Sequence, residues 1–192
     1  MNVSALLDAG FEEHGTLLHA TRDAVVEPFT QLIKICVAAV SKGNKIILFG
    51  NGGSASDAQH IAAELVGRFV MDRQPVPAIA LTADTSALTA ISNDYGFDYV
   101  FERQLLGLGQ AGDVAIGLST SGHSQNVIKA LWTAKSMGIT SVGFSGRNGG
   151  AMKAIANPLL IVPSDETPRI QEMHIILGHL MCAAIEQCLG LV

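Results

Sequence analysis

The chain has 192 residues, 48% of them hydrophobic, with a formal net charge of −5 and no two adjacent Lys or Arg residues. That is length for one domain with its own core, and too apolar a mixture for a disordered segment. It excludes the basic footprint of a nucleic-acid binder and offers no basic patch to an anionic membrane. No apolar run approaches the roughly 20 residues that cross a bilayer. The N-terminus, MNVSALLDAGFEEH, has early acids and no basic region ahead of an apolar core, so it does not read as a signal peptide. The three cysteines, Cys36, Cys182 and Cys188, are an odd number in apolar, helical settings. They read as reduced, buried thiols of a cytosolic protein rather than a disulfide or metal framework.

The first 42 residues have helical spacing. Leu6, Leu7, Phe11, Leu17 and Leu18 fit one helix; Phe29, Leu32, Ile33, Cys36 and Val40 fit a second, opened by Glu27-Pro28. So much apolar surface needs a partner, either the chain's own sheet or a second subunit, and an oligomer is expected. Short β-branched runs follow at Lys45–Phe49, Ala78–Leu81, Val114–Leu118, Thr140–Phe144 and Leu159–Val162. They lack period-2 alternation, as buried parallel strands do. Helical patterns lie between them. Ser124 can N-cap a helix whose apolar face is Val127, Ala130, Leu131, Ala134 and Met137, with Gly138 as its stop. Thr167-Pro168 reads as an N-cap followed by proline at the first helical position of a last helix running to about Cys188. The expected fold is α/β: a five-stranded parallel sheet, doubly wound in flavodoxin-like order, with an N-terminal helical pair. One domain over 1–192 is the simplest division, with 1–42 as helices for oligomer packing and 43–192 as the α/β sandwich.

Ligands of such folds bind beyond the carboxyl ends of the strands. Two loops there carry the chemistry. The first is Gly50-Asn51-Gly52-Gly53-Ser54-Ala55-Ser56-Asp57, with a helix starting near Asp57. Its glycines allow close approach of a ligand to the main chain, and the helix start offers free N–H groups. It is neither a P-loop nor a dinucleotide fingerprint, and the plain alternative is a tight turn with a capping Ser or Asp. The second is Ser119-Thr120-Ser121-Gly122-His123-Ser124, with four hydroxyls in six residues at a helix start. Hydroxyls and helix N-terminal amides suit a phosphate dianion without a lysine. The alternative, simple capping by Ser124, does not need four hydroxyls. One loop could hold a phosphate and the other the polyol or carbonyl end of a sugar.

Acid-base candidates follow. His60 and Glu64 are four apart on one helical face, and the residues between them are apolar. A partly desolvated carboxylate there suits a general base; the alternative is an exposed ion pair. Arg68, four further on, could pair with Glu64 or reach a substrate. The last helix carries Gln171, Glu172, His174 and His179 amid apolar residues, and His179 is either part of a site or a histidine at a packed interface. His60, Glu64 and His179 could hold a transition metal with Gln171 or water as a fourth ligand, since imidazole and carboxylate suit Zn²⁺.

The segments GNGGSASDAQHIAAELVGR, ALTAISNDYGFDYVF, STSGHSQNVIKA and VPSDETPRIQEMHIILGHL together resemble the phosphoheptose isomerase family of sugar-isomerase-domain proteins, over nearly the whole chain. The first and third are shared with sugar-isomerase domains generally; HxxxE paired with the final RIQExHxxxxH is more specific. The resemblance implies interconversion of sedoheptulose 7-phosphate and D-glycero-D-manno-heptose 7-phosphate through an enediol(ate), with Glu64 as base and His179 as acid. It implies that Asn51, Gly52, Gly53 and Ser54 line the substrate site and that Ser119, Thr120, Ser121 and Ser124 hold the phosphate. Asn93 and Asp94 would touch the sugar from a neighbouring subunit, with Arg68 and Gln171 also in reach. His60, Glu64, Gln171 and His179 would hold one Zn²⁺ per subunit in a homotetramer whose sites lie between subunits. A bacterial cytoplasmic enzyme supplying heptose for the lipopolysaccharide core would follow. Some relatives carry an acid where Pro168 stands, so no role is carried over there. Competing readings are a non-catalytic phosphosugar sensor, a scaffold that binds a replication initiator, and an isomerase of another phosphosugar.

Overall fold

The computed structural model describes residues 2–192. Asn2 caps the first helix, α1 (Val3–Val40), by accepting from the Ala5 N–H at 3.2 Å. The two helices expected here are one. Pro28 has no N–H for the carbonyl four residues back, which is why a break is the natural reading. Packing on both sides of the proline overrides that loss: Leu17, Thr21 and Val25 before it, and Leu32, Ile33 and Cys36 after it, are all buried.

The strands are β1 (Ile46–Gly50), β2 (Ala78–Ala80), β3 (Val114–Ser119), β4 (Thr140–Gly146) and β5 (Leu159–Val162). They form one parallel sheet in the order β2-β1-β3-β4-β5, the flavodoxin-like order expected. The later helices are α2 (Gly53–Val66), α3 (Thr85–Tyr95), α4 (Val100–Leu108), α5 (Gln125–Ser136) and α6 (Thr167–Cys188). Strand residues alternate between two faces. Ile46 and Leu48 join the core under α1, α2 and α6, while Ile47 and Phe49 join the core under α4 and α5. Both faces are covered, so β1, β3 and most of β4 are buried throughout, which explains their unbroken apolar sequences.

Several boundaries differ from expectation. Helix α2 begins at Gly53, four residues before Asp57, because Gly52 takes the turn at φ 56°. The residue at the α6 N-cap is Glu166, which places Thr167 and Pro168 inside the first turn. Of the three free cysteines, Cys36 and Cys182 are buried and Cys188 is exposed, because Cys188 is the last residue of α6 and the helix has by then run past the core. Burial pushes the thiols of Cys36 and Cys182 up to about 12. No described helix is long and apolar enough to cross a membrane.

At the amino edge of the sheet Asp113 is fully buried and accepts from the Lys45 N–H at 3.0 Å, the Lys45 ammonium at 2.6 Å and the Gln110 N–H at 2.9 Å. Asp113→Ala would strand two backbone donors and is expected to cost about 3 kcal/mol by urea unfolding. This edge lies opposite the two loops at the carboxyl ends of the strands, so the loss is expected to be one of stability, with the far-ultraviolet circular dichroism below the unfolding transition unchanged.

Candidate active site

Strands β1 and β3 are neighbours, with Gly50 opposite Leu118, so their two loops leave the carboxyl edge side by side. An amide clasp ties them together. Asn51 Nδ2 donates to Asn126 Oδ1 and Asn126 Nδ2 donates to Asn51 Oδ1, each at 2.9 Å. Asn126 is buried at the start of α5 and its Oδ1 also accepts from the Val127 N–H. No motif marks Asn126 in the sequence; the signal for it is a polar residue beside the apolar positions 127, 130, 131 and 134.

In the second loop Ser124 stands at the α5 N-cap, but its hydroxyl is bonded to Ser119 Oγ at 2.8 Å instead of capping the helix. The Ser121 hydroxyl accepts from the His123 N–H at 3.1 Å, and Thr120 and Ser121 are half-buried. Gly122, at φ 69°, lies so near the Gly149 carbonyl that a side chain there would overlap it. Behind the loop is a buried polar chain. The Ser145 hydroxyl donates to the Ser119 carbonyl at 3.0 Å, and His174 Nε2 lies 3.1 Å from the Ser145 carbonyl. A carbonyl only accepts, so His174 carries its proton on Nε2, and its buried Nδ1 has no partner among the described residues.

The acid-base candidates converge from two helices. His60 Nε2 lies 2.9 Å from His179 Nε2 and 3.3 Å from Glu64 Oε1, and one donor atom from each of the three residues falls within 4.8 Å of the others. The Phe69 ring stacks 5.5 Å from the His179 ring on the other side. The i,i+4 ion pair is thus present, but joined by a third group from α6. The face is more open than its apolar neighbours imply: the His60 and Glu64 side chains are 49% and 26% exposed. Two imidazole nitrogens and a carboxylate oxygen within 4.8 Å of one another form a donor set that fits a borderline-soft divalent cation.

Gln171 lies near the start of α6, against the start of α2. Its amide lies against Gly53, where a Cβ would come within 2.5 Å of Nε2. Arg68 lies exposed beyond the end of α2 and is not paired with Glu64, whose ion-pair partner is His60. The helix stops at Val66, so the spacing that would carry Arg68 back over Glu64 is lost. Asn93 donates to Asp94 at 2.7 Å on the surface of α3, a helix with no buried residue that packs chiefly on α4 and the short 3₁₀ helix Phe97–Tyr99. Within one chain these two residues are not brought to the His60–Glu64–His179 cluster. Asp57, read only as a helix start, is half-buried one turn before His60 and its Oδ2 has no partner among the described residues. Burial pushes its carboxyl up to about 6, against a lowering by His60.

The family model described as the SIS domain matches residues 11–146, so the chain is a SIS-domain protein. The phosphoheptose isomerase of Paramagnetospirillum magneticum is 52% identical over 186 residues, 97% of each chain. The solved phosphoheptose isomerase from Neisseria gonorrhoeae superposes with a TM-score of 0.91 at 43% identity, over 97% of this chain and all of that one. The Francisella tularensis structure gives 0.93 at 34% identity over the same shares. This chain belongs to the phosphoheptose isomerase family, whose enzymes are aldose–ketose isomerases.

His174 gives the site a pH limit. Burial pushes its pKa from 6.5 down to about 4, although the bond to Ser145 works the other way. The unfolded chain therefore binds this proton more readily than the folded one. The histidine's contribution is intact above pH 6.5 and is lost as pH falls from there to about 4. Unfolding free energies measured across that window are expected to fall more steeply for the wild type than for His174→Gln, by an amount on the order of 3 kcal/mol at its lower end.

Proposed function

We propose that the chain interconverts sedoheptulose 7-phosphate and D-glycero-D-manno-heptose 7-phosphate by proton transfer between C1 and C2. The observation that carries this reading is the meeting of His60 and Glu64 on α2 with His179 on α6, on the same side of the sheet. Ser119, Thr120, Ser121 and Ser124, with the amides at the start of α5, hold the phosphate. Asn51, Gly52, Gly53, Ser54 and the Gln171 amide bear on the polyol. The Glu64 carboxylate takes a proton from C1 of the open-chain ketose while His179 gives one to the C2 oxygen, leaving an enediol. The same groups then return a proton to C2 and remove the one on the C1 oxygen, so the pair ends as it began. Each step of positioned acid or base chemistry contributes about 10²- to 10⁴-fold. His60, Glu64, Gln171 and His179 would hold Zn²⁺, which when bound would polarise the carbonyl as a Lewis acid.

The assembly that completes the site is a homotetramer with sites between subunits. Two features support it. Val3, Leu6, Leu7 and Phe11 on α1 are 59 to 73% exposed, an apolar stripe without cover from its own chain. Asn93 and Asp94 lie on α3, which packs chiefly on α4 and the 3₁₀ helix Phe97–Tyr99. Arg68, exposed beyond α2, reaches the sugar in that assembly. The buried free thiols Cys36 and Cys182 fit a bacterial cytoplasmic enzyme, and heptose supply for lipopolysaccharide core is its place.

Glu64→Gln is expected to lose at least about 10² in kcat on sedoheptulose 7-phosphate with oligomer size unchanged. A wild type that binds the sugar phosphate but turns over none of it, with or without Zn²⁺, would move the protein to the sensor or scaffold reading. Phe11→Glu is expected to shift light-scattering mass below that of the tetramer and to lower kcat with it. A mass unchanged in this variant would remove the α1 stripe from the interface.

A further inference from the structure

We propose that Arg73 and Glu186 act as a positioning clamp that sets the separation of Glu64 from His179, and with it the grip of the His60–Glu64–His179 cluster on a divalent cation. The kcat part of this inference rests on the isomerase reading; the cation part does not. Arg73 and Glu186 side chains are 1% and 2% exposed, with Arg73 Nε donating to Glu186 Oε1 at 2.7 Å. The guanidinium spends its other donors on the open end of α2. Nη2 donates to the Glu64 carbonyl at 2.8 Å, and Nη1 to the carbonyls of Leu65 at 2.8 Å, Gly67 at 3.1 Å and Gln74 at 3.1 Å. The carbonyls of Glu64 and Leu65 are among the last four of α2, which a helix end leaves without intrahelical partners. Glu186 Oε1 also accepts from the Phe69 N–H at 3.2 Å, and the Phe69 ring lies on His179.

The clamp therefore touches both sides of the cluster through the main chain. One arm holds the peptide of Glu64 itself. The other is on α6, seven residues after His179 and so nearly on the same stripe. A buried pair of this kind contributes little net stability compared with apolar residues of similar shape, so stability alone does not explain its presence. Its five carbonyl and amide contacts all fall within residues 64–74, the segment that carries Glu64 and Phe69.

Arg73→Lys keeps the charge and loses the fork. It is expected to fold, to raise the Zn²⁺ dissociation constant of the metal-stripped protein by about 10-fold or more in calorimetric titration, and to lower kcat about 10-fold with KM within about twofold. Arg73→Met together with Glu186→Leu replaces the pair by apolar bulk. It is expected to unfold at or above the temperature of Arg73→Lys while keeping both losses. Wild-type Zn²⁺ affinity and kcat in either folded variant overturn the clamp, as does recovery of both in the double variant in step with its stability. Should the double variant not fold, Arg73→Lys and the isosteric Glu186→Gln decide by the same two readouts. A wild type inert on the heptulose phosphate, with weakened Zn²⁺ binding in Arg73→Lys, would sink the isomerase reading and leave the clamp standing.

Discussion

The close approach of α2 and α6 is the constraint on which the site depends. Both helices lie on one face of a parallel sheet, so they run in the same direction with their N-termini toward the carboxyl edge. Two glycines let them touch. A Cβ on Gly178 would meet Ile61 at 2.5 Å, and one on Gly53 would meet the Gln171 amide at the same distance. A side chain at Gly178 would have to displace Ile61, and one at Gly53 would have to displace the Gln171 amide.

Around that contact the polar groups divide into a dry set and an open set. Behind the hydroxyl loop, Ser145 and His174 are fully buried and hand one hydrogen bond to the next until Ser119 is fixed. Such a chain is costly unless satisfied, and it holds one loop shape. The Asn51–Asn126 clasp then fixes the glycine loop against it. The acid-base cluster, by contrast, is half-open in a single chain, as is the α3 surface with Asn93 and Asp94. The buried half of this region is built into the core, and the open half lies on the surface of the chain.

The last helix illustrates how much a sequence can and cannot convey. Its start to within one residue, its length to Cys188 and its apolar stripe were legible, since Thr-Pro and a 3.6 period are local signals. His174 and His179 are five apart on that helix and look alike as sequence. One is sealed against Phe144 and the Ser145 carbonyl; the other meets His60. Nothing local distinguishes them, because the difference is which neighbour each side chain meets. Helix α1 failed in the opposite way: Pro28 is a strong local stop, and burial on either side overrode it.

Hydrophobic period, glycine and hydroxyl clusters and helix caps act within a few residues, so the strand order class, the two loops and the candidate residues could be read along the chain. The tertiary structure alone decided which of those residues meet. It brought His179 to His60 and Glu64, drew Gln171 onto Gly53, left Arg68 exposed beyond its helix, and turned Ser124 from a helix cap into a partner of Ser119. It also assembled the Arg73–Glu186 clamp from residues 113 apart, a distance over which no sequence pattern carries geometry.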